Sequence, residues 1–210
     1  MTYVIHGAPG SGSGIVEAAC AELGVDHEAR DLDARNDEHR GLEYAALNPH
    51  RKMPTLEIDG EVITETVAIV ITLDERHRDG GLLPPPGSAE RAQALRWMCF
   101  LATEVYPFVE MIDYPERFSS SPEQAAVVRE RAERLTRDRW AVLEASVAGS
   151  PYLLASGFSA ADLYITKLAV WTDADWRREH LPKVAALVGA VRARPSLAGV
   201  WARHIPPHIR

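Results

Sequence analysis

The segment Gly7-Ala8-Pro9-Gly10-Ser11-Gly12-Ser13-Gly14 sets two hydroxyls among glycines, directly after the apolar run Tyr3-Val4-Ile5-His6. Glycines allow a sharp turn, and the first turn of a following helix carries unpaired N–H groups and a positive dipole end. Such a loop suits an anion, either a phosphate or a thiolate. The spacing approaches a phosphate-binding G-x-x-x-x-G-K-[ST] loop. However, Ser13 stands where the lysine belongs and Gly14 where the magnesium-binding hydroxyl belongs. Without that lysine the loop has no point charge for β/γ-phosphates, which disfavours nucleotide hydrolysis. A thiolate remains, with Ser11 and Ser13 as the candidate donors. The plainer alternative is that Ser13 only caps the helix.

A second group of polar residues lies in Asn48-Pro49-His50-Arg51-Lys52-Met53-Pro54-Thr55 and continues to Asp59-Gly60. Proline is tolerated as the first residue of a strand because no ladder bond is needed there. If the Met53–Pro54 bond is cis, the backbone of Met53 turns outward and can pair with an extended ligand. Base rates alone favour trans. Glu65-Thr66 follow the next strand, where a hydroxyl and N–H groups at a helix start can hold a carboxylate or simply cap the helix.

The elements that must position these residues are legible in outline. Tyr3–His6 is a β-prone start, and Ile15, Ala19 and Leu23 form a helical stripe ended by Gly24. The stretch from His27 to Leu32 reads as a second strand. Thr55–Ile58 and Glu61–Thr64 flank Asp59-Gly60, a strong hairpin signal, and a helix from about Glu65 to His77 follows. The run Asp79-Gly80-Gly81-Leu82-Leu83-Pro84-Pro85-Pro86-Gly87-Ser88 is a stiffened linker. Beyond it the pattern is helical. Leu95, Cys99, Ala102, Tyr106 and Val109 make one stripe, and Pro122 opens a helix to about Ala148. Ser159-Ala160-Ala161-Asp162 opens another, and shorter helices cover Leu181 to Arg192 and Ser196 to Arg203. The expectation is an α/β domain over residues 1–83 and an all-helical domain over 88–210.

Composition narrows the classes. The chain has 210 residues with 30 acidic and 23 basic side chains, a net charge of −7. Residues 1–83 carry 16 acidic and 7 basic groups, a net of −9, which leaves +2 for the remainder. No global positive field exists to attract nucleic acid or an anionic membrane. No apolar run reaches the ~20 residues of a membrane span, and MTYVIHGAPG lacks the features of a signal peptide. A cytoplasmic protein is expected. The two cysteines, Cys20 and Cys99, make neither a disulfide framework nor a thiolate metal site. Cys20 reads as a small buried packer, which disfavours dithiol exchange. His204 and His208 are separated by Pro206-Pro207, so a metal site there is not expected.

The segment NPHRKMPTLEIDGEVITETVAIVITLDER resembles the NP…K-V-P-T-L…D-G…L-T-E-S-x-A-I segment of cytosolic glutathione transferases. The Gly/Ser loop, the proline linker, GFSAADLYI and the terminal ARPSLAGVWA fall where that family has them, so the similarity spans nearly the whole chain. It implies a thioredoxin-like N-terminal domain followed by an all-α domain. It further implies a cis proline at Pro54, backbone pairing of Met53 with the cysteinyl part of glutathione, and capture of the γ-glutamyl end by Glu65-Thr66. Lys52 matches a position that contacts the glycyl carboxylate, and Tyr106 a helix lining the second-substrate pocket. LATEVYPF is similar to the beta class, with Tyr106-Pro107 replacing a His-Lys pair. The loop has neither the activating tyrosine of some classes nor the beta-class cysteine. Gly10 falls nearest the activating serine of the theta and zeta classes, and Ser11 is its neighbour. Ser11 is therefore the preferred activating hydroxyl, with Ser13 the second.

The physical demand on that hydroxyl is modest. A free thiol has a pKa near 8.5, and lowering it by ~2 units takes ~2.7 kcal/mol. A hydrogen bond to a charged acceptor supplies roughly 1.5–3 kcal/mol, and a helix N-terminus adds about 0.3–1. No metal is required. The expected function is conjugation of the glutathione thiolate to a small electrophile, a detoxifying transferase acting as a homodimer. The alternatives are glutathione-dependent disulfide reduction and a non-catalytic binding or scaffold role.

Overall fold

A computed structural model of the protein describes residues 1–205. They form two compact units, one of Met1–Pro85 joined by the chain from Val191 on, the other of Pro86–Ala190.

The first unit is built on a four-stranded sheet. β1 is Tyr3–Gly7, α1 Ser13–Leu23, β2 Glu28–Asp31, α2 Leu42–Leu47, β3 Thr55–Ile58, β4 Glu61–Thr64 and α3 Thr66–Arg76. The strand order is β2-β1-β3-β4, with β1 parallel to β2 and antiparallel to β3, and β3 antiparallel to β4. This is the thioredoxin-like α/β arrangement. Tyr3, Val4 and Ile5 are buried, as are Leu56 and Ile58 beside them and Ile15, Val16, Ala19 and Cys20 of α1. The hairpin turns at Asp59 (φ 50°) and Gly60 (φ 89°), two left-handed residues as a type I′ turn requires. α1 ends where Gly24 takes φ 65° and returns its N–H to Ala21 and Cys20. α2 has no counterpart in the sequence expectation, being only 6 residues long.

Register decides where the functional segments meet. His6 of β1 pairs with Thr55 of β3, and Thr55 pairs with Thr64 of β4. The loop leaving β1, the Lys52–Pro54 segment entering β3 and the Glu65-Thr66 step leaving β4 therefore emerge at one end of the sheet. Gly7 also pairs with Asp31, so β2 ends there as well.

The second unit is helical. It contains α4 (Ala89–Phe100), α5 (Tyr106–Asp113), α6 (Pro122–Ser146), α7 (Ala160–Ala169) and α8 (Ala174–His180). The stripe expected to run unbroken through Val109 is interrupted by a π-helical turn at Leu101–Val105. Pro107 has no N–H for the carbonyl four residues back, and its ring crowds that carbonyl, so the helix widens there. α6 opens at Ser121, whose hydroxyl accepts from the Gln124 N–H, with Pro122 in the first turn. At the start of α7, buried Asp162 accepts from the backbone N–H groups of Leu153 (2.8 Å) and Ser159 (2.7 Å).

α9 (Pro182–Arg192) leads back to the first unit, where α10 (Ala198–His204) packs on α1. Glu22 of α1 receives a bidentate contact from Arg194 (Nε at 2.8 Å), and Ser196 donates to the same carboxylate.

Candidate functional site

The loop after β1 is organised around Ser11. Its hydroxyl oxygen accepts from the backbone N–H groups of Ala8 and Ser13, each at 3.2 Å. Both lone pairs of Ser11 are therefore engaged, and its proton is left to donate. Ser11 is partly exposed, whereas Ser13 is fully buried. The Ser13 hydroxyl lies 3.0 Å from that of Ser11 and 3.3 Å from both the Ala8 carbonyl and a Glu17 carboxylate oxygen. Gly12, and not Ser13, is the cap of α1, and Ser13 is the first helical residue. The capping alternative for Ser13 is thereby corrected: its side chain braces Ser11 from inside.

The segment before β3 is held by two side chains. Tyr44 and Asn48 both donate to the Lys52 carbonyl, at 2.9 and 2.7 Å, and both contact the Thr55 hydroxyl, at 2.8 and 3.1 Å. The Met53–Pro54 peptide is cis, as the resemblance implies and against the base rate for trans. Pro54 is buried and Met53 half-buried. Among the described residues, the N–H and C=O of Met53 have no backbone partner. Lys52 is exposed.

Glu65 ends the hairpin at φ 65° and ψ 108°, a left-handed backbone for a residue with a Cβ. Strain of this kind persists where surrounding structure imposes it, and it clusters at binding sites. Glu65 is the cap residue of α3, yet its side chain makes no capping bond. Its carboxylate is exposed, and Thr66 begins the helix beside it. The simple capping role weighed for this pair does not describe Glu65.

Tyr106 starts α5 in the second unit, its ring 5.3 Å from that of Trp171. Cys20 is buried, and burial pushes its thiol up to about 12, so it remains an unreactive thiol. Among the described residues there is no cluster of three or more His, Cys, Asp or Glu side chains able to hold a metal ion. His208 lies outside the described residues, and His204 is buried against α1. No helix among the described residues is long and apolar enough to cross a membrane.

Sequence reasoning missed the support behind the loop. Glu17 is buried and accepts from Arg203 Nε at 3.1 Å. His204 Nε2 approaches it to 2.9 Å, at an angle too bent for a good hydrogen bond. Burial raises the Glu17 pKa, but His204 and Arg203 more than offset this and hold the carboxyl below its ordinary value. Arg203 also reaches Asp31 at the end of β2. A buried acid on an otherwise apolar helix face was the available signal for a distant basic partner.

A family model described as the glutathione S-transferase N-terminal domain matches residues 13–76. Glutathione S-transferase F10 of Arabidopsis thaliana is 30% identical over 175 residues, covering 81% of this chain and 74% of that protein. An uncharacterised GST-like protein, YncG of Escherichia coli K12, is 28% identical over 95% of this chain and 97% of its own length. A glutathione transferase homologue from Sulfitobacter, solved with bound glutathione, superimposes with a TM-score of 0.89 at 23% identity, covering 98% of this chain and 99% of that one. That likeness shows the fold, a thioredoxin-like domain followed by a helical one. The chain belongs to the glutathione transferase family.

Proposed function

We propose that the protein is a glutathione-dependent transferase in which Ser11 donates its hydrogen bond to the glutathione thiolate. One observation carries this reading: the Ser11 oxygen is already filled by two backbone donors, so its proton is left to donate, and a thiolate competes for it with the neutral Ser13 oxygen at 3.0 Å. In the same reading Ser13 orients Ser11 without touching the ligand. Met53 pairs through its backbone with the cysteinyl part of glutathione, beside Pro54. Glu65 and the start of α3 at Thr66 hold the γ-glutamyl end, the carboxylate of Glu65 meeting its amine and the Thr66 N–H and hydroxyl its carboxylate. Lys52 meets the glycyl carboxylate. The bound glutathione in the Sulfitobacter homologue supports the ligand class.

The reaction needs only the thiolate and an electrophile. Thiolate sulfur attacks the electrophilic carbon, the leaving group departs with its electron pair, and the thiol proton goes to solvent. Holding both reactants together supplies much of the rate. Tyr106, against Trp171, is the candidate apolar contact for the electrophile. We read the protein as a cytoplasmic homodimer with a detoxifying role, which sedimentation at low concentration tests for the dimer.

The deciding assay runs an aryl halide and a hydroxyethyl disulfide side by side with glutathione. Dominant conjugation upholds the reading. Dominant disulfide reduction replaces it with a reductase, and no heat with millimolar glutathione in calorimetry replaces it with a non-catalytic role.

A further inference from the structure

His204, 194 residues from the loop in sequence, donates nothing to it and instead accepts: the Gly10 N–H points at His204 Nδ1 at 3.2 Å. Gly10 precedes Ser11 and stands at φ 82°, so this bond holds the loop at its most permissive residue. Nδ1 is taken up by this bond, and the other ring nitrogen, Nε2, faces Glu17 Oε1 at 2.9 Å. The same Glu17 oxygen takes the Ser13 hydroxyl. One imidazole–carboxylate pair thus grips the loop at both ends, through Gly10 and through Ser13, with Ser11 between.

The packing is built around this ring. His204 is fully buried. A Cβ at Gly14 would lie 2.8 Å from its Cγ and 2.9 Å from its Nδ1, so α1 admits the imidazole only because that position is glycine. Among the described residues, the charged and titratable groups facing the pair are Arg203, which meets both Glu17 and Asp31, and His27, which bears on Glu17. Arg203 neutralises a carboxylate whose field would otherwise oppose an anion at the loop.

We infer that His204 is a positioning residue for thiol activation, the C-terminal helix fixing the Gly10–Ser13 loop so that the Ser11 proton points at the sulfur. The inference rests on the reading that Ser11 holds the thiolate.

The test uses the full chain with two substitutions. His204→Phe fills the space and removes both polar contacts, and His204→Asn keeps an acceptor near the Nδ1 position. Three quantities are measured: the apparent pKa of bound glutathione from its thiolate absorbance, affinity for S-methylglutathione, which has no ionisable thiol, and exchange of the Gly10 amide. His204→Phe is expected to raise the bound thiol pKa by about one unit and to slow conjugation at neutral pH by up to about tenfold. S-methylglutathione affinity should stay within about twofold, Gly10 exchange should accelerate, and His204→Asn should recover most of the pKa. Faster Gly10 exchange with an unchanged thiol pKa overturns the positioning role and leaves Ser11 in place. A wild-type protein that binds glutathione without lowering its thiol pKa overturns the Ser11 reading, and this inference with it. If His204→Phe does not fold, Gly14→Ala displaces the ring from the α1 side and should shift the thiol pKa the same way; no shift there overturns the proposal.

Discussion

The backbone N–H of Ser13 donates to the hydroxyl oxygen of Ser11 at 3.2 Å, while the Ser13 side chain faces the protein interior. Two serines two residues apart thus face different surroundings, Ser11 partly exposed and Ser13 buried. Ser13→Ala keeps the backbone donor and loses only the buried hydroxyl contacts. It should lower stability by about 1 kcal/mol and leave conjugation within a few-fold of wild type. Urea unfolding beside initial rates checks both. A Ser13→Ala enzyme as impaired as Ser11→Ala would reverse the assignment.

Glu65 contributes no capping bond to α3, so its removal should touch binding and not folding. Glu65→Ala is expected to weaken glutathione by about 1.5–3 kcal/mol, roughly 10- to 100-fold, through loss of a charge-assisted bond. Calorimetry with cysteinylglycine supplies the control, since that ligand lacks the γ-glutamyl group and should bind both forms alike.

The tether of α10 depends on carboxylates of α1. Burial opposes ionisation of Glu17 and Glu22, yet the His204 and Arg203 contacts on the first, and the Arg194 and Ser196 contacts on the second, leave both below their ordinary pKa. Groups depressed in the folded state stabilise it above the unfolded pKa, and that contribution is lost as pH falls through the folded one. Acidification below the ordinary glutamate range should therefore release the C-terminal segment before the sheet unfolds, seen as early exchange of α10 amides. Arg203→Met should destabilise by about 2–3 kcal/mol, less than the roughly 3–5 kcal/mol of a fully buried pair because Arg203 is partly exposed.

Lys167 is fully buried in α7, with Nζ 4.4 Å from the Trp171 ring centroid. Burial lowers its pKa from 10.5 to about 8. Between those values the unfolded chain binds more protons than the folded one, so stability should rise with pH from about 8 upward. Lys167→Met should remove that rise and, after loss of the cation–π contact, stabilise the protein at pH 7 by roughly 1–3 kcal/mol. Thermal unfolding across the alkaline range reads both effects.

The hairpin at Asp59-Gly60, the helix ended by Gly24 and the proline linker were legible because each is set by local chemistry. So was the family segment around Pro54 and Glu65-Thr66, since its motif lies within one short stretch of sequence. The cis Met53–Pro54 bond was implied by resemblance and not by local propensity. The π-turn before Tyr106 escaped because the apolar stripe runs through it unaltered. The Glu17–Arg203–His204 cluster escaped for a different reason: its partners are some 186 residues apart, and no periodic pattern encodes their meeting. Ser13 bonds to Glu17 of that cluster and Ser11 does not, a distinction the loop sequence alone does not carry, which is why it left two candidate hydroxyls.

The central claim is that the Ser11 proton lowers the pKa of the glutathione thiol, and titration of bound glutathione by its thiolate absorbance tests it directly. In the wild-type protein the thiol should titrate about two units below its value near 8.5 in water, and in Ser11→Ala at least one unit of that depression should disappear. Equal pKa values in the two proteins would contradict the account.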